Sequence, residues 1–220
     1  MTQEEIMNLL DSLYQKVIDG IPKVSPSIDQ LAENYLQKSP RLDQAINKFI
    51  SYQIAKCTTS GFLTGLGGII TLPVAIPANV GSVLYVQMRM IACIAYMCGY
   101  DTDSDQVQTL VYACLAGISV NQIIKNTGIQ FGTKLSISMI KKIPGTALTK
   151  INQRVRFRFI TKFGSKGLIN LGKAVPVVGG IIGGGFDLVE TKLIADRAYK
   201  MFFEGELTSS EVLSTENQCI

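Results

Sequence analysis

Gly61-Phe62-Leu63-Thr64-Gly65-Leu66-Gly67-Gly68-Ile69-Ile70-Thr71-Leu72-Pro73-Val74-Ala75-Ile76-Pro77-Ala78-Asn79 lies inside a run from Cys57 to Met88 that carries no charged side chain. A stretch of ~20 mostly apolar residues is long enough to cross a bilayer. Its composition opposes a plain spanning helix. Five glycines (61, 65, 67, 68, 81) and two prolines (73, 77) interrupt it. Each proline removes a backbone donor and disfavours helix at the residue before it. Broken backbone at membrane depth is tolerated only where protein or a water-filled cavity covers it. The stretch reads as a close-packed hairpin, buried in a helical core or dipping into lipid.

A second glycine-rich segment echoes the first. In Lys173-Ala174-Val175-Pro176-Val177-Val178-Gly179-Gly180-Ile181-Ile182-Gly183-Gly184-Gly185-Phe186-Asp187, thirteen residues (174–186) are uncharged, too few to span. Gly179/Gly183 and Gly180/Gly184 are small-xxx-small pairs that let helix backbones approach closely. The packing set is Gly65, Gly67, Gly68, Pro73, Pro77, Pro176, Gly179, Gly180, Gly183 and Gly184. Gly205, beyond the motif, is expected to tolerate a larger side chain.

Around these segments the apolar spacing is helical. Ile6, Leu9, Leu10, Leu13 and Val17 share one face over 2–19. Two further helices are expected, one from Ser27 or Asp29 to about Ser39-Pro40 and one on towards Cys57. The next runs from Gly81 to Cys98, apolar nearly all round and therefore buried or lipid-facing, with Gly99 as its left-handed cap. Asp101, Asp103 and Asp105 lack the glycine and glutamate of a calcium loop and read as caps for a helix over 106–124. Nothing alternates well enough for a sheet. The fold class is mainly α, a single helical domain built round two Gly/Pro-rich hydrophobic hairpins. Residues 1–45 read as an acidic helical cap, 46–205 as the main domain and 206–220 as a polar tail.

With 220 residues and 17% charged side chains the chain is less charged than an average soluble domain. The acidic, run-free start predicts no secretory signal. Five cysteines without CxxC spacing read as buried small hydrophobes in a reducing cytoplasm. There is no histidine, which removes the commonest general base and metal ligand, and no metal site or cofactor is expected. Gly167 to Ala174 nearly spells a phosphate loop, but Ala174 replaces the Ser or Thr that holds Mg²⁺ and no strand precedes it.

The net charge is +4, unevenly placed. Residues 106–186 hold eleven Lys/Arg and no acid, while the remainder holds ten basic and seventeen acidic residues. That asymmetry suggests an anionic partner for the middle of the chain, unless the acidic ends fold back over it. Within it, Lys150, Arg154, Arg158 and Lys162 recur every four residues, with Lys166 next, beside a stripe of Ile151, Val155, Phe159 and Phe163. A basic stripe beside an apolar one suits an interfacial helix lying on anionic lipid. Nucleic acid could use the same cations, but no nucleic-acid motif accompanies them.

The first hairpin, Arg89-Met90-Ile91-Ala92, Ile94-Ala95-Tyr96, Gly99-Tyr100-Asp101 and the block from Gly172 to Asp187 together resemble the EcsC family, over about Phe49 to Phe203. The N-terminal 45 residues and the tail carry no such signal. The resemblance implies a bacterial protein of a family named for one encoded beside an ABC transporter, hence a membrane-associated context and a membrane transporter as a partner. It implies no reaction. The expected function is a membrane-associated accessory or lipid-engaging protein without covalent chemistry, cytoplasmic and peripheral on the inner face of the membrane, with integral insertion as the variant. The alternative is an enzyme acting on a lipid or peptide through a buried polar site of Arg89, Asp187, Asp101 and Asn79. Arg89 is expected to pair with Asp187, because a buried guanidinium needs an acid or several carbonyls.

Overall fold

The computed structural model describes residues 2–57, 78–126, 136–163 and 181–206, with side-chain surroundings for all of these but 57, 78–80, 162–163 and 181–188. Nine α-helices are described: α1 (Gln3–Asp19), α2 (Ile28–Gln37), α3 (Leu42–Cys57), α4 (Ala78–Met97), α5 (Asp105–Ala116), α6 (Asn121–Lys125), α7 (Ile137–Ile140), α8 (Gly145–Phe163) and α9 (Ile181–Ala198). A π-helical turn, Tyr199–Glu204, continues α9. Among the described residues there is no strand, only an isolated bridge between Ile21 and Ser25 in the α1–α2 loop. The chain is a single all-helical domain, as its periodicity predicts.

Its axis is α4. From Leu84 to Ala95 every residue of this helix is buried, and α1, α2, α3, α5 and α9 all pack against it. A helix apolar on every side must be covered on every side, and here protein covers it. No helix of the described residues is long and apolar enough to cross a membrane. The hairpin residues Gly65, Gly67, Gly68, Pro73, Pro77, Pro176, Gly179 and Gly180 lie outside the described residues, while Gly183 and Gly184 fall in the first turn of α9. The helices that follow the two hairpins, α4 and α9, are direct neighbours. Between them Gln87 Nε2 donates to Thr191 Oγ1 at 3.2 Å, satisfying two buried polar side chains.

The N-terminal helices belong to this core. α1 starts with a reciprocal capping box, in which Glu5 N–H donates to Thr2 Oγ1 at 3.1 Å and Thr2 N–H to Glu5 Oε2 at 2.7 Å. Its predicted apolar face (Ile6, Leu9, Leu10, Leu13, Val17) is buried against α4 and α8. Tyr14 Oη reaches across to the Thr102 carbonyl at 2.7 Å. The acidic character of this segment sits on its outer side, so it shares one apolar cluster with the rest of the chain.

Two expectations about turns change. The helix expected over 106–124 stops at Ala116, because Gly117 is left-handed (φ 66°) and Ile118 N–H closes back on the Ala113 carbonyl at 2.9 Å. The guanidinium of Arg197 occupies the place of a Gly117 Cβ, 2.8 Å away. The cap of α5 is Ser104, whose Oγ accepts from Val107 N–H, and not one of the aspartates. Asp101 is exposed and accepts from Asp103 N–H at 3.2 Å, so it shapes the α4–α5 turn and is not part of a buried site. Gly99 caps α4 as predicted, at φ 81°.

Candidate functional site

Helix α8 starts after Pro144, whose missing N–H costs nothing just before a helix and whose carbonyl accepts from Ala147 N–H at 2.9 Å. From there its two faces separate with the helical period. Ala147, Ile151, Val155 and Phe159 are buried against α5 and α1. Lys150, Arg154 and Arg158 are exposed on the flank about 100° round from these, and among the described residues none of the three has an ion-pair partner. The acidic helices thus do not fold back over this part of the stripe. The side chain of Lys162 and all of Lys166 lie outside what is described.

One residue of this face escapes the sequence reading. Phe157 is 67% exposed, the most exposed large apolar side chain described. It follows Lys150 by seven positions and Arg154 by three, which puts it on the basic side of the helix. The spacing contains that information, but the stripe of phenylalanines in 157–163 invites assignment of every ring to the core. Lys150, Arg154, Phe157 and Arg158 form one wall of an open groove of about 700 Å³, and Ile118 and Ile123 form part of the other. An aromatic ring among unpaired cations, above an apolar floor, is a surface for an anionic and partly apolar partner.

A second constellation surrounds Arg89 in the middle of α4. The residue is 5% exposed. Its Nη1 donates to Tyr85 Oη at 3.1 Å, and its Nη2 donates to the Pro26 carbonyl in the α1–α2 loop. Tyr85 Oη lies 2.7 Å from Ser25 Oγ and 3.4 Å from the Lys16 carbonyl, so the ring and the guanidinium together pin that loop to the core. Among the described side chains no carboxylate pairs with Arg89. The Asp187 side chain lies outside the described set, as does that of Asn79. Arg89 and Asp101 are not brought together.

Asp11 Oδ1 accepts from Tyr112 Oη at 2.8 Å and from Gln108 Nε2 at 3.0 Å, tying α1 to α5. Burial is the main force raising the Tyr14 and Tyr112 hydroxyls. It also raises Cys93 and pushes Cys98 and Cys114 up to about 12, so these thiols are not nucleophiles at neutral pH. Among the described residues no cluster of Cys, Asp and Glu could hold a metal.

Among the described residues, fold and surface define a helical domain with a packed central helix, a buried cation and, on α8, a basic row without ion-pair partners. The chain belongs to the EcsC protein family, whose family model matches residues 2–203. The match takes in α1 and α2, so the family unit extends across the boundary expected at residue 45. No curated protein and no solved structure matches the chain.

Proposed function

We infer that this protein is a peripheral, lipid-engaging accessory protein that docks on an anionic membrane surface through the outer face of α8 and performs no covalent chemistry. The observation that carries the reading is the row Lys150, Arg154 and Arg158, exposed without ion-pair partners among the described residues and flanking an exposed Phe157. Cations placed this way meet lipid phosphates, and the ring between them reaches the acyl boundary. The adjoining stripe Ala147, Ile151, Val155 and Phe159 is locked into the core, so the cations are presented on a rigid rod.

Flotation of the full chain with protein-free vesicles tests this and separates lipid from a membrane transporter as the partner. The wild type floats with vesicles containing anionic lipid and stays behind with neutral ones. Charge reversal in K150E/R154E/R158E abolishes flotation while circular dichroism and melting temperature are retained. Flotation of that variant equal to the wild type's overturns the reading.

A further inference from the structure

The α1–α2 loop, α3 and α4 enclose a small cavity of about 60 Å³ on the side of the molecule where Arg89 is buried. Its polar lining is Arg89 and Tyr85 from α4, Gln53 and Lys56 from α3, and Ser25 from the loop. One of these groups, Arg89, lacks what burial of a charge normally demands. The guanidinium is a cation, yet its described partners are a phenol and a carbonyl, both neutral. A buried charge with no counter-ion is strongly unfavourable. Facing it, Gln53 is 5% exposed, and no hydrogen bond to its amide is found among the described residues. Buried charges are normally paired, and here a buried cation with neutral partners and a side-chain amide converge on one space.

We propose that this cavity is a binding site for a single small oxyanion group, a phosphate or a carboxylate, held by Arg89 and Gln53. The guanidinium has five N–H donors and commits Nη1 to Tyr85 and Nη2 to Pro26, leaving others for a charge-assisted bond to the anion. Gln53 supplies a neutral donor from the opposite wall, and Lys56, whose Nζ lies 4.7 Å from the centre of the Tyr52 ring, also lines the cavity. Size limits the ligand. One water takes ~30 Å³ of liquid volume and whole small-molecule sites run to ~300–1,000 Å³. About 60 Å³ therefore suits a single small oxyanion group and not a whole drug-sized ligand. Because Pro26 and Tyr85 also fix the α1–α2 loop, the bound anion would hold that loop to α3 and α4 through the same guanidinium.

The test is thermal denaturation of the full chain, at constant ionic strength, in rising inorganic phosphate, acetate or glycerol phosphate. A site raises the melting temperature along a saturating curve, because a ligand bound only to the folded state stabilises it in proportion to ln(1 + [L]/Kd). Phosphate active and glycerol phosphate inactive assigns a free anion; both active assigns the head of a larger molecule. Gln53→Leu, which preserves volume and leaves Arg89 in place, should weaken apparent affinity at least tenfold. The K150E/R154E/R158E variant should keep the full response. Three results overturn the proposal. One is a non-saturating rise shared by wild type and Gln53→Leu, the general effect of an excluded salt. Another is loss of the response in the surface variant. The third is a flat wild-type curve with Arg89→Met and Asp187→Asn non-additive in stability, which would make Asp187 the counter-ion.

Discussion

The outer face of α8 should bind through two components that respond differently to salt. Each Lys or Arg held near an anionic surface contributes ~1 kcal/mol, so Lys150, Arg154 and Arg158 together supply about 3 kcal/mol, ~150-fold in affinity. Phe157 is 67% exposed. Full burial of a phenylalanine is worth ~1.5–3 kcal/mol, so insertion of the available part gives about 1–2 kcal/mol, or roughly five- to thirtyfold. The first component is screened as the Debye length shrinks from ~10 Å at 0.1 M salt to ~3 Å at 1 M, and the second is not. Vesicle titrations at several salt concentrations should therefore show Phe157→Ser lowering affinity by one constant factor, with the slope of log affinity against log salt unchanged. Neutralising Lys150 and Arg154 to Gln should lower affinity ~30-fold at low salt and flatten that slope. All these side chains are exposed, so stability should move by no more than about 0.5 kcal/mol. A Phe157→Ser variant that binds as the wild type does, or loses binding only at low salt, refutes the insertion argument.

Leu10 is fully buried where α1 meets the core, so Leu10→Ala should cost ~2–5 kcal/mol in chemical denaturation with one cooperative transition; a separate early transition would restore an independent cap. Gly205 is buried and left-handed at φ 78°, capping the π-helical turn, so it is not the tolerant position its place after the motif suggests. Gly205→Ala should destabilise by ~1–2 kcal/mol, whereas Gly145→Ala, exposed with nothing within 4 Å of the new methyl, should be neutral or stabilise slightly in the same melts. Burial raises the thiol pKa of Cys98 and Cys114 to about 12, which favours the protonated form below that pH. Iodoacetamide at pH 8 should leave both unmodified in the native chain, with labelling rising on denaturation, as read by peptide mass spectrometry. Rapid native labelling would show that these helices open.

How far the sequence carried the account depended on whether the interaction was local. The two faces of α8 were legible because Ile151, Val155 and Phe159 alternate with Lys150, Arg154 and Arg158 at the helical period, which any helix must obey. Gly99 as a cap and the apolar face of α1 were legible for the same reason. The surroundings of Arg89 were not. Its carbonyl partner, Pro26, lies 63 residues away, and Ser25 lies 60 from Tyr85. No spacing rule connects a loop to the middle of a helix, and the expected partner Asp187 lies outside the described side chains. Composition likewise did not show that the N-terminal helices share the core. Their acids line the outer side, and net charge says nothing about what the inner side touches. Among the four polar residues Asp101 to Ser104, the choice of Ser104 as cap was fixed by where α5 packs.

The chain contains no tryptophan, so Phe157→Trp places a single indole reporter in the middle of the basic face. On addition of vesicles containing anionic lipid its emission should shift to the blue and become protected from an aqueous quencher, and neutral vesicles should leave it unchanged. Emission that stays red and fully quenchable, at lipid concentrations where the protein floats with the vesicles, would contradict the account, because the membrane would then be meeting some other surface.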